Sequence, residues 1–96
     1  MHTHPYFRRA AAQFRALGNE RRLFILALLQ KEPLSGDKLR EILHVGPPSI
    51  TKHLHRLLAG GLIIGKRKGR RVFFSLSANA REQRHFREWI RKGLLH

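Results

Sequence analysis

The residues of this chain with the most distinctive chemical potential are cations crowded into one short segment. The cations are Lys66, Arg67, Lys68, Arg70 and Arg71, and glycines at 65 and 69 suit a hairpin turn there. Like charges held this close repel one another, which costs stability unless a partner screens them. Phosphates are a suitable partner, because each phosphate that is neutralised releases counterions. The alternative is a solvated turn with a chance excess of charge.

A second polar set lies on one side of a predicted helix over 47–59. The apolar stripe of this helix consists of Ile50, Leu54, Leu57 and Leu58. Short polar or cationic side chains lie away from the stripe, and a helix in the major groove of DNA needs such side chains. We expect DNA contacts from the following residues: Ser49, Thr51, Lys52, His53, His55 and Arg56.

Acidic residues are missing from a long stretch of the chain. No Asp or Glu lies between Glu41 and Glu82, so the helix over 47–59 and the basic segment both lack opposing charge. In the whole chain, 20 Lys and Arg against 6 Asp and Glu give a formal net charge of +14 with His neutral. Such an excess favours a polyanion as partner, and its continuity indicates nucleic-acid binding more strongly than either cluster alone.

Length and composition limit the class of protein. A chain of 96 residues has room for one domain with a modest core, and 42% hydrophobic residues exclude a disordered basic tail. The absence of cysteine excludes a disulfide scaffold, a thiolate zinc site and thiol-based sensing. The longest apolar run, Leu23 to Leu29, is far too short for a membrane span, and the N-terminus lacks a signal-peptide pattern. We therefore expect a cytoplasmic protein with no membrane partner.

The sequence contains no recognisable catalytic machinery. General acid–base and triad chemistry need carboxylates, and the six of this chain fall mostly in predicted helices. Asp37 and Glu41 are one helical turn apart, but a solvated helix face accounts for that spacing. We expect no catalytic residue, no cofactor and no enzyme activity.

Histidines are the remaining candidates for metal binding. His85 and Glu88 are three residues apart, so two protomers could combine them into a four-ligand site. The alternative is a pair of exposed surface residues. His53 and His55 lie about 200° apart on a helix, so they cannot chelate one ion together. We favour exposed residues over ligands and predict no metal site.

Periodicity and punctuation predict the elements that position these side chains. Apolar spacing indicates a helix over 5–17 and a second after Asn19, with Leu23, Phe24, Ala27 and Leu28 on its apolar face. Ser35 can cap a third, short helix, and Val45 to Pro48 form a tight turn before the helix over 47–59, which Gly60 and Gly61 end. Two strands follow over 62–76, and Asn79 with Glu82 resembles a capping box that opens a last helix over 79–93.

This order predicts a mainly α fold with a small β-hairpin. Four helices, two strands and a fifth helix form one domain over 1–96. A third helix, a turn and a polar-faced fourth helix constitute a helix-turn-helix, in which residues 47–59 are the recognition helix. The hairpin over 62–76 forms a wing beside it. The predicted fold is a winged helix-turn-helix.

Three blocks of sequence resemble the ArsR-type winged-helix regulators. Residues 14–26 (FRALGNERRLFIL) are similar to the opening of that family, residues 49–63 to its recognition helix and exit, and residues 69–76 to its wing strand. The resemblance extends over about residues 7–94. It implies a homodimeric transcriptional repressor that releases DNA when an inducer binds.

The common metal sites of that family lack their ligands in this chain. The resemblance puts the thiol pair of the third helix at Ser35 and Asp37, neither of which is a cysteine. The carboxylate and imidazole ligands of the last helix would fall near these residues, none of which binds zinc: Ala78, Ala80, Arg91 and Leu94. Pro47 and Pro48 stand where the family usually has small polar residues, so Ser49, Lys52 and the wing must supply more of the DNA contact.

Aromatic and aliphatic residues near both ends of the chain exceed the needs of one small core. They are Phe7 and Phe14 in the helix over 5–17, and Phe86, Trp89, Ile90 and Leu94 in or near the helix over 79–93. Intramolecular packing of the two terminal helices is one interpretation. The other is a homodimer formed by these helices, which the family resemblance also implies and which we predict.

We therefore predict a dimeric, sequence-specific regulator of transcription that represses its target genes. A twofold dimer places two recognition helices about 34 Å apart and requires a near-palindromic operator in double-stranded DNA. The alternative is a nucleoid-associated or other nucleic-acid-binding protein without sequence specificity. A third possibility is an acidic protein partner for the basic face. The sequence does not reveal an inducer.

Overall fold

A computed structural model describes residues 20–82, and these form four helices and three strands. In chain order they are α1 (Glu20–Lys31), β1 (Leu34–Ser35), α2 (Gly36–Leu43), α3 (Pro47–Ala59), β2 (Ile63–Lys68), β3 (Arg71–Leu76) and α4 (Ala78–Glu82). The predicted helix over 5–17 and most of the predicted helix over 79–93 lie outside the described residues. So do all six predicted dimer-interface residues.

Helix α1 supplies the centre of the core. Ile25, Leu26 and Leu29 are fully buried, and they pack with Leu39 of α2 and Leu57 of α3. The prediction that Phe24 belongs to the buried face of this helix is wrong, because its side chain is 46% exposed. Since nearly every position from 23 to 29 is apolar, spacing alone does not distinguish which side of the helix turns inward.

Helix α2 begins and ends with well-formed caps. The Ser35 side chain accepts a hydrogen bond from the Lys38 amide at 3.1 Å, which confirms the predicted cap. At the other end His44 adopts a left-handed conformation with φ 55°, and the amides of His44 and Val45 bond to the last carbonyls of the helix. The chain therefore turns from α2 to α3 at His44, while Gly46 keeps an ordinary extended conformation with φ −77°.

Helix α3 has the bounds that its proline and glycine punctuation predicts. Pro47 and Pro48 occupy its first turn, where a missing N–H removes no helical hydrogen bond. Its C-terminus closes as a Schellman motif, in which the Leu62 amide bonds to the Leu57 carbonyl and the Gly61 amide to that of Leu58. Gly61 has φ +69°, a conformation that glycine adopts without strain.

The sheet has three strands in the order β1-β3-β2, all antiparallel. β2 and β3 pair along their full length, from Ile63 opposite Leu76 to Lys68 opposite Arg71. The predicted hairpin is therefore present, and we call β2, β3 and the turn between them the wing. The structure adds the two-residue strand β1, whose Leu34 and Ser35 pair with Phe74 and Phe73. A strand of two residues is too short to produce an alternating pattern in sequence.

Helix α4 begins one residue earlier than predicted, and its cap is different. The Ser77 hydroxyl accepts a hydrogen bond from the Ala80 amide at 3.1 Å, so Ser77 caps this helix and Asn79 lies within it. Asn79 is exposed. The prediction of an Asn79 cap is wrong because two cap-forming residues stand two positions apart, and only the end of β3 decides between them.

Candidate nucleic-acid interface

Six side chains of α3 are predicted to contact DNA. Four of them are exposed on the outward side of the helix. Thr51, Lys52, His55 and Arg56 are exposed, and Ser49 is partly exposed beside them. On the opposite side Ile50, Leu54 and Leu57 are buried in the core. The amphipathic pattern of the sequence thus sets the rotation of this helix about its axis. Leu58 departs from the predicted stripe, since it is 40% exposed.

His53 does not belong to the outward side of α3. The side chain is only 6% exposed, and its Nδ1 accepts a hydrogen bond from Nε of Arg22 in α1 at 3.2 Å. A histidine in this position has no free edge to present to a base or phosphate, so the predicted DNA contact by His53 is corrected. At 100° per residue, His53 lies at the border of the apolar stripe, where its type alone does not reveal its direction.

The wing carries all five of its predicted cations on the surface. Every residue from Ile64 to Val72 is exposed. Gly69, with φ +63°, allows the chain to turn between Lys68 and Arg71, which face each other across the two strands. Since no acid occurs in the wing, its charges repel one another without internal compensation.

The side chain of Phe74 packs between the base of the wing and the helix-turn-helix. One edge of its ring lies over Gly65 of β2, 3.3 Å from the position that a Cβ there would occupy. Another edge lies 3.6 Å from the corresponding position on Gly36, at the start of α2. The ring therefore contacts both the neighbouring strand and the first turn of α2, and it holds the wing against the helices.

A cleft of about 300 Å³ opens where the wing meets the two helices of the helix-turn-helix. Thr51 of α3 lines it on one side and Arg70 and Arg71 of the wing on another. Asp37 and Arg40 of α2 complete its polar lining. The outward side of α3 and the basic tip of the wing thus border the same opening, with three arginines against one carboxylate.

Two buried groups have perturbed proton affinities. Burial, together with the positive charges of Arg22, Arg21 and Lys52, lowers the pKa of His53. Burial and the charge of Arg56 lower the pKa of Arg22. An arginine stays protonated in proteins regardless, so His53 is the member of the pair whose charge changes with pH.

Comparison with known proteins identifies relatives of this chain among regulators of transcription. No family model matches the chain. It is 33% identical over 70 residues to the transcriptional activator HlyU of Vibrio cholerae and 34% identical over 68 residues to the transcriptional repressor SmtB of Mycobacterium tuberculosis. The matched segments cover 73% and 71% of this chain. They span 65% of HlyU and 50% of SmtB, less than two thirds of either relative.

Solved structures share the fold over most of the chain. The structure of HlyU from Vibrio cholerae matches 98% of this chain and 95% of its own with a TM-score of 0.72 and 29% identity. A homodimeric winged helix-turn-helix domain from Mycobacterium bovis, described as a possible ArsR-family regulator, has a TM-score of 0.75 at 21% identity. It matches 94% of this chain and 79% of its own. In sequence the chain is similar to regulators of transcription, and its fold is that of ArsR-type winged helix-turn-helix proteins.

The positions that the ArsR resemblance assigns to metal ligands hold other residues in the part of the chain that the structure describes. Ser35 caps α2, Asp37 is exposed beside it, and Ala80 is fully buried in α4. Within residues 20–82 no three His, Asp or Glu side chains approach one another closely enough to hold a metal ion. His85 and Glu88 lie outside the described residues. No helix among residues 20–82 is long and apolar enough to cross a membrane.

The sequence analysis did not predict two residues of this site. Arg22 was not among the candidates, because its partner on α3 is 31 residues away in sequence. Arg40 lines the cleft from α2, and only the proximity of α2 to the wing makes that contact. The excess of basic residues is a signal common to both arginines, but it does not single out either one.

Proposed function

We propose that this protein is a dimeric, sequence-specific DNA-binding regulator that represses transcription. In this proposal α3 enters the major groove, and its exposed residues, above all Thr51, Lys52 and His55, read base edges. The wing contacts the phosphate backbone alongside through its five cations. His53 is left out of the contact surface because it is buried.

The observation that carries the proposal is the shared cleft between α3 and the wing. Two exposed basic elements on unrelated parts of a surface would bind a polyanion independently, without fixing its direction. Here Thr51 and the pair Arg70 and Arg71 line one opening, so a single duplex can touch both at once. Phosphate contacts of this kind fix the register of a protein on DNA, and base contacts then specify the sequence.

The dimer is proposed from two lines of support. The Mycobacterium bovis domain of the same fold is a homodimer. The apolar residues near both ends of this chain, from Phe7 to Leu94, exceed the needs of a core of this size. Repression is proposed on the family resemblance and the named function of SmtB, although HlyU is named an activator.

Footprinting on DNA that flanks the protein's own gene tests this function. A discrete protected region, with two half-sites about one helical turn apart, is the expected result. Uniform protection that grows with protein concentration would instead support a nucleic-acid-binding protein without sequence specificity. A reporter gene placed behind the protected site then measures repression, and a rise in expression on adding the protein would contradict it.

A further inference from the structure

A buried pair of polar side chains joins α1 to the centre of α3. Arg22 is 8% exposed and His53 is 6% exposed, and Nε of Arg22 donates to Nδ1 of His53 across 3.2 Å. Around them the contacts between α1 and α3 are made by apolar residues such as Ile25, Leu26 and Leu57. This hydrogen bond is therefore a directional contact within a largely apolar interface.

The pair is retained at a cost to stability. The second ring nitrogen of His53, Nε2, is buried without a hydrogen-bond partner among the described residues. An unsatisfied buried donor lowers the stability of the folded state, and a leucine of similar volume would avoid that cost. Buried polar groups of this kind can define one arrangement among several that apolar packing would allow. A role in orientation explains why the position is polar.

The orientation that the pair defines is that of the outward side of α3. His53 follows Lys52 directly and precedes Arg56 by three positions, so these residues have fixed angles about the helix axis relative to His53. If α3 rotates about its axis or shifts away from α1, then His53, Lys52 and Arg56 all move with it. The contact with Arg22 thus controls where the side chains proposed to reach DNA are located.

Only neutral histidine can make this contact. Nδ1 accepts a hydrogen bond when the ring proton is on Nε2, whereas the imidazolium ion has a proton on both nitrogens. Protonation would place two donors and two positive charges against each other. Arg22 and Arg21 from α1 and Lys52 from α3 all act against that charge.

We propose that the Arg22–His53 hydrogen bond is a positioning contact for DNA binding, and that protonation of His53 in acidic solution releases α3 and weakens binding. The inference rests on the proposed function, because DNA affinity is its main readout. Arg22 and His53 act through the position of α3, and neither touches the DNA.

The sign of the pH effect follows from the direction of the pKa shift. The pKa of His53 is below its ordinary value of about 6.5, so the ring is neutral at pH 7.5 and the contact is intact. As the pH falls below about 6.5, the unfolded chain binds a proton that the folded protein resists, and folding stability decreases. The contact itself is lost as the pH passes through the lowered pKa of the folded state.

Replacing His53 by asparagine separates this effect from other titrations. His53→Asn keeps an acceptor, Oδ1, near the position of Nδ1 but does not titrate. The matched control is His55→Asn, which removes the same titratable group from the exposed side of α3. His55 lies outside the buried pair, so this control keeps the hydrogen bond between Arg22 and His53 and should keep the acid loss of affinity.

DNA affinity is measured at constant salt at pH 7.5 and at the lower pH where the imidazole signals of His53 show that it is protonated, with far-UV circular dichroism on the same samples. We expect the wild-type protein to lose about tenfold in affinity relative to His53→Asn between the two values, with unchanged helical signal. The same acid loss in His53→Asn would overturn the proposal. So would an affinity loss that only follows loss of helical signal, because the pair would then serve stability alone.

Nuclear magnetic resonance provides a readout that does not require DNA. The imidazole nitrogens of His53 report its protonation, and the backbone amides of Lys52 and Arg56 report the position of α3. We expect both sets of signals to titrate with one apparent pKa in the wild type and the amides to stay constant in His53→Asn. Titration of His53 without movement of these amides would overturn the positioning role even if the protein bound no DNA at any pH.

Discussion

The hydroxyl of Ser77 donates a hydrogen bond of 2.7 Å to the carbonyl oxygen of Gly61, and so joins the two ends of the wing. Gly61 lies two residues before the wing, and Ser77 directly follows it. The same hydroxyl accepts from the Ala80 amide, and the Ser77 amide bonds to the Leu62 carbonyl at 2.9 Å. One buried serine therefore closes the base of the wing and starts α4.

Ser77→Ala should destabilise the protein by about 1–2 kcal/mol, because it leaves the Gly61 carbonyl and a helix N-terminus without their partner. Urea unfolding followed by circular dichroism measures the change. Asn79→Ala is the matched control, since Asn79 is exposed within α4, and its effect should stay within about 0.5 kcal/mol. Equal losses in the two variants would show that Asn79 contributes to the cap as well.

His44→Gly should stabilise the protein by roughly 0.5–1 kcal/mol. A left-handed conformation costs a residue with a Cβ about 1–2 kcal/mol, and glycine avoids this cost. Because glycine has greater freedom in the unfolded chain, part of the gain in stability is cancelled. The same substitution at His55, in the interior of α3, should lower the free energy of unfolding by about 0.5–1 kcal/mol. Chemical denaturation of both variants tests this difference in sign, and a loss of stability in His44→Gly would contradict it.

Neutralising the tip of the wing should change the salt dependence of DNA binding. If Arg70 and Arg71 each contact one phosphate, replacing both by glutamine flattens the slope of log affinity against log salt by about 2. Affinity for all sequences should fall together. Lys31→Gln removes an exposed cation at the end of α1, away from the cleft, and should leave the slope unchanged. An unaltered slope in the double variant would refute the phosphate contacts.

Lys52→Ala should reduce discrimination more than overall affinity. A side chain that reaches a base edge contributes roughly 1–3 kcal/mol to the preference for the correct site. The measurement is the ratio of affinities for the footprinted site and for a random duplex of equal length, at one salt concentration. Lys31→Ala is again the control. If both duplexes lose affinity by the same factor, Lys52 contacts a phosphate rather than a base.

Trp89→Ala and Phe86→Ala should weaken dimerisation and DNA binding together, because both aromatic residues are predicted to anchor the interface. These positions lie outside the described residues, so the prediction stands on the sequence and the family. Sedimentation in the ultracentrifuge measures the dimer directly. Trp89→Phe keeps an aromatic ring and should keep the dimer. An unchanged dimer in both alanine variants would assign these residues to packing within one protomer.

Local signals in the sequence predicted much of this architecture. The bounds of α3 follow from Pro47 at its start and Gly60 at its end, and both residues act through their own backbone. The wing follows from alternation and a glycine turn, and the cap of α2 from Ser35. Each of these features depends on residues within a few positions of one another, which is why they can be read without a structure.

The errors arise where a partner from elsewhere in the chain decides the outcome. His53 is a polar residue at the edge of an apolar stripe, and only Arg22, on another helix, determines that it points inward. The choice between Ser77 and Asn79 as a cap depends on where β3 ends. Phe24 lies on a helix that is apolar on most sides, so its exposure depends on which neighbours pack against α1.

The strand β1 affects how much conformational entropy the protein loses when it binds a polyanion. Ser35 pairs with Phe73 and also caps α2, so a single residue belongs to both the sheet and the helix-turn-helix. Binding therefore need not order the whole hairpin, since Phe73, Phe74 and the strand residues beyond them are already held. At the tip the backbone is paired up to Lys68 and Arg71, so the exposed side chains are the main part that loses freedom on binding. A binding surface ordered in advance keeps more of its contact energy as affinity.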